Sequence, residues 1–230
     1  MVEYMEAIKK PFSDMKTLGI GAVVGAIPLV SLLLSGYALK TAEDAVKGKK
    51  GLRAWALSDV ADYAVKLVML WIISIVYYII PALIIGVGIG GAILTAISGG
   101  IDLANPSTIL DKIIPSMMVA LPFVAIGGII LLIAMFLLPM AIMKWIKSGN
   151  VGAAFNIGSV VKNALTVDYI VSLIVLIIYA IVLVIIAGII SLVLAFIPVI
   201  GWILAYIVSG AVAFALAVTE YAILAQVVKD

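Results

Sequence analysis

Four carboxylates lie next to the long apolar segments of this chain, and they are its first candidates for chemistry. They are Asp59, Asp62, Asp168 and Glu220. Converging carboxylates could bind a metal ion or relay protons, but both roles require several of them to meet in polar surroundings. The structural alternative is that Asp59, Asp62 and Asp168 sit at helix N-termini, where the helix dipole favours negative charge. Because more apolar residues follow Glu220, it is either a buried functional acid or the mark of a membrane boundary.

The chain contains neither histidine nor cysteine. This composition excludes disulfides, thiolate catalysis, Fe–S clusters, haem ligation by histidine and the usual zinc sites. Residues 86–91 match G-x-G-x-x-G, but without the strand and helix of a dinucleotide site the match indicates close helix packing. We therefore predict no catalytic, cofactor-binding or metal-binding residues, no cofactor and no enzymatic activity.

The elements that would position any functional residue are membrane helices. Four runs contain no Asp, Glu, Lys or Arg: residues 17–39, 67–101, 113–143 and 169–219. About 20 apolar residues suffice for a helix to cross the roughly 30 Å hydrocarbon core, so each run is long enough. The chain is 66% apolar and 11% charged, against about half and a quarter in soluble domains. The predicted fold class is all-α, a polytopic transmembrane helix bundle.

Three of the runs supply four full spans. The runs 67–101 and 113–143 predict one span each, while 169–219 is long enough for two. It divides at Pro198, where proline and glycine interrupt the apolar sequence. The two resulting spans cover about 168–195 and 199–222.

The first run, 17–39, is either re-entrant or a fifth span, because Pro28 lies at its centre. The sequence AIPLV around Pro28 resembles FIPVI around Pro198, which predicts a similar reversal of the chain. Basic residues bear on the choice, since cytoplasmic loops are enriched in them. A fifth span would place ten basic residues on the cytoplasmic side and four outside, whereas a re-entrant segment would place thirteen and one. The charges favour the re-entrant interpretation and leave the fifth span open.

Two connecting segments have the periodicity of amphipathic interfacial helices. In residues 52–67 the apolar positions are Leu52, Trp55, Val60, Tyr63 and Leu67, and in residues 151–165 they are Val151, Phe155, Val161 and Leu165. Tryptophans also mark predicted boundaries, where their rings would anchor helices to the interface: Trp55, Trp145 and Trp202. Close helix packing is predicted for three pairs of small residues: Gly21 with Gly25, Gly86 with Gly90, and Ala213 with Ala217.

We predict a single integral membrane domain, 1–230, with a weak internal repeat. Residues 62–67 align with 168–173, and the two copies would cover about 17–101 and 113–222. Both copies would leave the same basic side, so the repeat would be parallel, unlike the inverted repeats of many transporters. The excess of basic residues places the basic loops and the C-terminus in the cytoplasm of a multi-pass protein of the cell membrane.

Short motifs along the chain resemble those of one protein family. They are KKPFSD at 9–14, AIPLV at 26–30, LSGYAL at 34–39, IIP at 79–81 and EYA at 220–222. Together they resemble the prokaryotic integral membrane family catalogued as domain of unknown function 4013, over nearly the whole chain. Members often carry an acidic, Trp-containing loop after the Gly-Tyr element, whereas here Lys49, Lys50 and Arg53 surround Trp55. The resemblance implies an integral membrane protein of unassigned function and supplies no catalytic residues.

Two functional hypotheses are compatible with these features. The leading one is a non-enzymatic membrane protein that packs with itself, with lipid or with a partner membrane complex, through glycine-rich faces and a basic loop at 40–66 that faces anionic lipid. The alternative is a transporter or channel for a small uncharged solute, lined by backbone carbonyls that Pro28, Pro81 or Pro122 expose. The partners expected are the lipid bilayer and either a second copy or another membrane protein, and no nucleic acid.

Overall fold

The computed structural model describes residues 2–49, 51–99 and 106–228, which form helices and turns without a β-strand. The helices are α1 Tyr4–Lys9, α2 Met15–Ala26, α3 Leu32–Val46, α4 Val60–Ser98, α5 Pro106–Ser148, α6 Ile157–Ala164, α7 Val167–Leu194 and α8 Ile200–Val227. By length and composition α4, α5, α7 and α8 can each cross a membrane, which confirms the predicted all-α fold with four full spans. Contacts divide the chain into unit 1, residues 1–71 with 139–230, and unit 2, residues 72–138.

The first apolar run forms two helices joined by a turn. The carboxylate of Asp14 caps α2 by accepting hydrogen bonds from the backbone N–H groups of Lys16 and Thr17, at 3.0 and 3.3 Å. The helix stops at Ala26 because Ile27 is extended and Pro28 has no N–H to continue the ladder. Neither α2 nor α3 is among the helices long and apolar enough to cross a membrane, so the run does not form a continuous fifth span.

The turn at Pro28 and the turn at Pro198 share one local conformation, as their sequences predict. In each, the residue after proline has a positive φ, 68° at Leu29 and 62° at Val199. In each, the isoleucine before proline accepts a hydrogen bond from the N–H four residues later, Ser31 in the first turn and Gly201 in the second. The two similar five-residue sequences therefore form the same kind of turn, in which one helix ends and the chain reverses its direction.

Helix α8 is the centre of unit 1 and packs against α1, α2, α3 and α7. Helix α2 runs antiparallel to it, because Gly21 lies against Phe214 while Gly25 lies against Gly210. Helix α3 then returns along α8 toward the C-terminal end of that helix, and its Tyr37 ring lies 5.5 Å from the Phe214 ring. The hairpin therefore turns near the level of Gly210, about 15 Å along α8 from Ile200.

Both ends of the hairpin lie at the C-terminal end of α8. Before α2, the backbone N–H of Glu3 donates to Gln226 Oε1 at 2.7 Å. After α3, Ala45 and Gly48 line the same pocket as Gln226. We call this end of unit 1, which also holds the ion pairs of the 47–59 connection, the basic end. The first run therefore forms a hairpin whose two ends lie at the same end of α8, and its depth in a membrane stays a prediction.

Neither of the two predicted interfacial helices forms as one continuous helix over its predicted range. Residues 52–56 are not helical, and the helical part of the first segment is the start of α4. The second segment divides into a 3-10 helix, Val151–Phe155, and α6, because Asn156 begins a new helix by accepting from the N–H of Ser159. The break changes the packed face: Ala154, Val160, Asn163 and Ala164 are buried, whereas Leu165 is exposed.

Glycines decide where the helices approach closely, but only one of the three predicted small pairs does so. Gly21 and Gly25 contact α8 as predicted. Gly86 and Gly90 have no atom of another element within 4 Å of an added Cβ, and Ala213 is exposed. Within unit 2 the packing glycines are instead Gly88, against Phe123, and Gly127, against Ile85. The G-x-x-x-G spacing identified a glycine-rich stretch without identifying its packed face.

The aligned segments of the predicted repeat, 62–67 and 168–173, each contain a fully buried tyrosine, Tyr63 near the start of α4 and Tyr169 near the start of α7. The single domain with an internal repeat stays a prediction.

Candidate functional site

The basic end contains a network of ion pairs between α3, the 47–59 connection and α4. Glu43 is its first centre and contacts the ammonium groups of Lys47 at 2.6 Å, Lys66 at 2.9 Å and Lys40 at 3.7 Å. Lys40 also reaches Asp62 at 3.1 Å. The described lysines of the 40–66 loop are thus each paired with a carboxylate within the chain: Lys40, Lys47, Lys49 and Lys66.

Arg53 is the second centre of the network. Its guanidinium contacts Asp44 at 2.8 Å and Asp59 at 2.5 Å, and Lys49 also reaches Asp44, at 2.8 Å. The carbonyl of Arg53 accepts a hydrogen bond from the hydroxyl of Tyr37. Because a guanidinium presents several donors in a fixed plane, this one side chain joins the end of α3 to the residues that precede α4.

Aromatic rings fill the space beneath Arg53. The Trp55 ring stacks on Tyr37 with centroids 4.3 Å apart, and the Tyr63 ring meets Trp55 edge-on at 5.5 Å. Gly36 makes this contact between α3 and α4 possible, because a Cβ there would collide with the backbone of Tyr63. The Gly-Tyr element and Trp55, which contribute to the family resemblance, therefore touch each other and anchor the connection between two helices.

The ion pairs keep the carboxylates of the network charged. Burial disfavours the charged form of Glu43, but hydrogen bonds from Lys47 and Lys66 outweigh it and lower its pKa from 4.5 to about 2. For Asp44, burial is likewise outweighed by Lys49 and Arg53, so its pKa is lowered. Hydrogen bonds to Asp59 raise the pKa of the Arg53 guanidinium. The network is suited to holding structure rather than to exchanging protons near neutral pH.

Acid is expected to remove the contribution of Glu43. Because its pKa is depressed in the folded state, its stabilisation is fully present above the unfolded pKa near 4.5 and is lost as the pH falls through about 2. Glu43→Gln should therefore cost about 1 to 2 kcal/mol near neutral pH and nothing at the acid limit. Melting temperature against pH tests this, with the exposed Asp111→Asn as control. A constant gap between wild type and Glu43→Gln down to the acid limit would contradict the assignment.

The four carboxylates singled out from the sequence do not converge. Asp59 and Asp62 belong to the network, paired with Arg53 and Lys40, and Asp168 lies in the first turn of α7. Among the described residues no group of three or more Asp, Glu, His or Cys side chains could hold a metal ion. Glu220 lies on α8, partly buried and close enough to Tyr169 to interact electrostatically. Its carboxylate forms no hydrogen bond or ion pair with the described part of the chain.

Two of the three predicted tryptophan anchors are packed inside the basic end. Trp55 lies against Tyr37, and Trp145 is 6% exposed with the Lys66 ammonium 5.5 Å from its ring centre. Only Trp202 of these three, at the start of α8, is largely exposed, as an interfacial ring would be. Their position in the sequence was typical of anchors, but Tyr37 of α3 stacks on Trp55, and Trp145 is buried.

A polar pocket of about 190 Å³ opens at the basic end between the N-terminal segment, the end of α3 and the end of α8. Its charged and polar lining residues are Glu3, Glu6, Lys10, Lys49 and Gln226. Sequence reasoning missed this site, because its residues lie far apart in the chain and form no motif. The alternating acids and bases of the N-terminal segment were the only signal.

The pockets beside the long helices are different in character. In unit 2 a pocket of about 540 Å³ lies between α4 and α5, and in unit 1 a pocket of about 210 Å³ lies beside α7 and α8. Apolar side chains line both, apart from Ser116 in the first. Pro81 and Pro122 lie within continuous helices, and Gly127 packs next to the carbonyl of Pro81.

Comparison with known proteins adds one finding. The family described as "Protein of unknown function (DUF4013)" matches residues 20–192, so the chain belongs to this family. The motifs at 9–14 and 220–222 lie outside the matched range. No curated protein and no solved structure matches the chain.

Proposed function

We propose that this DUF4013 member is a non-enzymatic membrane protein that acts by packing with lipid, with a second copy or with a partner membrane complex. The observation that carries the proposal is the separation of polar and apolar space. The charged network and the polar pocket lie at the basic end, while the pockets beside α4, α5, α7 and α8 have apolar linings. Such an arrangement favours contact with lipid or helices over the passage of a solute.

In this proposal the basic end faces the cytoplasm, because lysine and arginine are enriched on that side of membranes. The four long helices cross the bilayer, and the α2–α3 hairpin enters from the cytoplasmic side and returns. Re-entrant backbone needs protein cover; α8 covers one face of α2 through the contacts of Gly21 and Gly25, whereas the turn at Ile27 and Leu29 is exposed. The C-terminus lies on the same side.

The open faces of unit 2 favour a helical partner. Gly86 and Gly90 lie one turn apart on α4, and an added Cβ at either would meet no neighbour within 4 Å. Small residues let helix backbones approach closely in a membrane, where van der Waals contacts drive association. This face therefore has room for a helix of a second copy or of another protein.

Gentle extraction followed by native mass spectrometry tests the proposal. We expect the protein to retain lipid, a second copy or a partner protein, and Gly90→Ile to reduce protein association more than the control Gly19→Ile. Gly19 is also open but lies on α2. A monomer without lipid or partner would contradict the proposal, and flux of an uncharged solute through proteoliposomes would replace it with the transporter alternative.

A further inference from the structure

Lys10 is an unusual feature of the polar pocket, because its side chain is largely buried although it carries a charge. It is 9% exposed and lies in the short 3-10 helix Lys10–Phe12. Its ammonium forms no hydrogen bond and no ion pair with any described residue. Glu6 and Asp44 attract it electrostatically, but Asp44 is already bound by Lys49 and Arg53. The Lys10 side chain is thus largely enclosed, while its ammonium reaches the pocket without a bonded acceptor among the described residues, so the position favours an anionic ligand.

The surroundings of Lys10 define the kind of anion. Two acids and two bases line the pocket, namely Glu3, Glu6, Lys10 and Lys49, so its formal charge is balanced. A simple anion would be attracted by the lysines and repelled by the glutamates, whereas a ligand carrying both charges would be attracted by both. Glu6 is the carboxylate that interacts with Lys10, so it lies near enough to contact a cation next to the bound anion.

The volume of the pocket and its position along α8 further restrict the kind of ligand it can bind. The volume of about 190 Å³ exceeds the roughly 30 Å³ of one water but falls below the 300 Å³ or more of drug-sized sites. Helix α8 has 28 residues, about 42 Å, which matches a bilayer including its head groups. Its last turns, where Ala222 and Gln226 line the pocket, would then lie at head-group depth.

We propose that this pocket binds a phosphate–ammonium head group, with its phosphate on Lys10 and its ammonium on Glu6. A zwitterionic phospholipid such as phosphatidylethanolamine presents this chemistry at the membrane surface, and soluble phosphoethanolamine presents it in water. This site deepens the proposed function by naming one lipid class that the protein binds.

Lipid titration of the full-length protein in mild detergent, followed by native mass spectrometry, tests the site. Lys10→Met should weaken binding of phosphatidylethanolamine about ten- to hundredfold, the effect of losing a charge-assisted hydrogen bond. Lys16→Gln is the matched control, since Lys16 is exposed and lines neither this pocket nor the adjoining one that Lys9 shares with Glu6 and Lys10. Lys10→Met removes a charge that has no bonded acceptor among the described residues, so its melting temperature should not fall. Equal binding by Lys10→Met and Lys16→Gln would overturn the proposal.

Three further ligands separate the alternatives. Phosphatidylglycerol lacks the ammonium and should bind more weakly than phosphatidylethanolamine, and Glu6→Gln should abolish that preference; equal binding of both lipids to wild type would overturn the zwitterionic assignment. Diacylglycerol lacks the phosphate and should not respond to Lys10→Met. If soluble phosphoethanolamine displaces phosphatidylethanolamine, the site recognises the head group alone. If the lipid binds and soluble phosphoethanolamine does not displace it, the ligand is the lipid in the membrane. If lipid or partner is retained but Lys10 has no effect, only this site fails and the proposed function stands.

Discussion

Gly210→Ala is expected to destabilise the protein by about 3 kcal/mol, a large effect for the addition of one methyl group. A Cβ at this position would collide with the backbone of Ala22 and approach the backbone nitrogen of Ala26 to 2.6 Å. Backbone atoms cannot rotate away as a flexible side chain can. Helix α2 would therefore have to move off α8, and the whole hairpin depends on that crossing.

For the matched control, Gly90→Ala, the expected change in stability has the opposite sign. Gly90 lies in the middle of α4, with no atom of another element within 4 Å of an added Cβ. Alanine is a better helix former than glycine by about 0.5 to 1 kcal/mol, so Gly90→Ala should leave the melting temperature unchanged or raise it. Thermal unfolding of both variants in one detergent provides the measurement. Equal destabilisation at the two positions would show that the α2–α8 crossing is not the tight contact described.

Single-cysteine labelling is expected to place both ends of the first hairpin on one side of the membrane. The chain has no native cysteine, so each introduced thiol is unique. Met5→Cys precedes the hairpin and Gly51→Cys follows it, and both positions are exposed. A membrane-impermeant maleimide should label these two from the same face of sealed vesicles, together with Val167→Cys at the start of α7.

Two further positions complete the labelling experiment. Phe196→Cys, in the turn between α7 and α8, should react only from the opposite face. Leu29→Cys, at the turn of the hairpin, should react from neither, because the hairpin ends partway along α8. Labelling of Met5→Cys and Gly51→Cys from opposite faces would establish a fifth span and remove the re-entrant hairpin.

Both results concern features that the sequence predicted only in part. The spacing of Gly21 and Gly25 predicted a packed glycine face, and the structure places it on α8. The same spacing at Gly86 and Gly90 predicted packing that the described part of the chain does not show. The sequence of a helix contains the residues of all its faces, so the spacing of small residues alone does not show which face packs against another helix.

The apolar runs and the prolines were enough to predict the helical elements. In lipid, a long uncharged segment of this kind forms a helix, because a helix lets every backbone polar group form its hydrogen bond within the same segment. The likeness of the residues around Pro28 and Pro198 also predicted that the two turns share a conformation. These are local properties, determined by hydropathy and backbone chemistry over a few residues.

The basic end was decided by tertiary structure alone. Lysines that looked like a surface for anionic lipid are paired with Glu43 and Asp44, and tryptophans that looked like anchors are stacked or buried. Lys10, which the sequence presented only as part of the KKPFSD motif, lines a pocket built from three distant segments. Charge pairing and burial depend on which residues meet across the fold. The sequence therefore determined the helices and their turns, whereas tertiary packing decided which charges are paired and which side chains line the pocket.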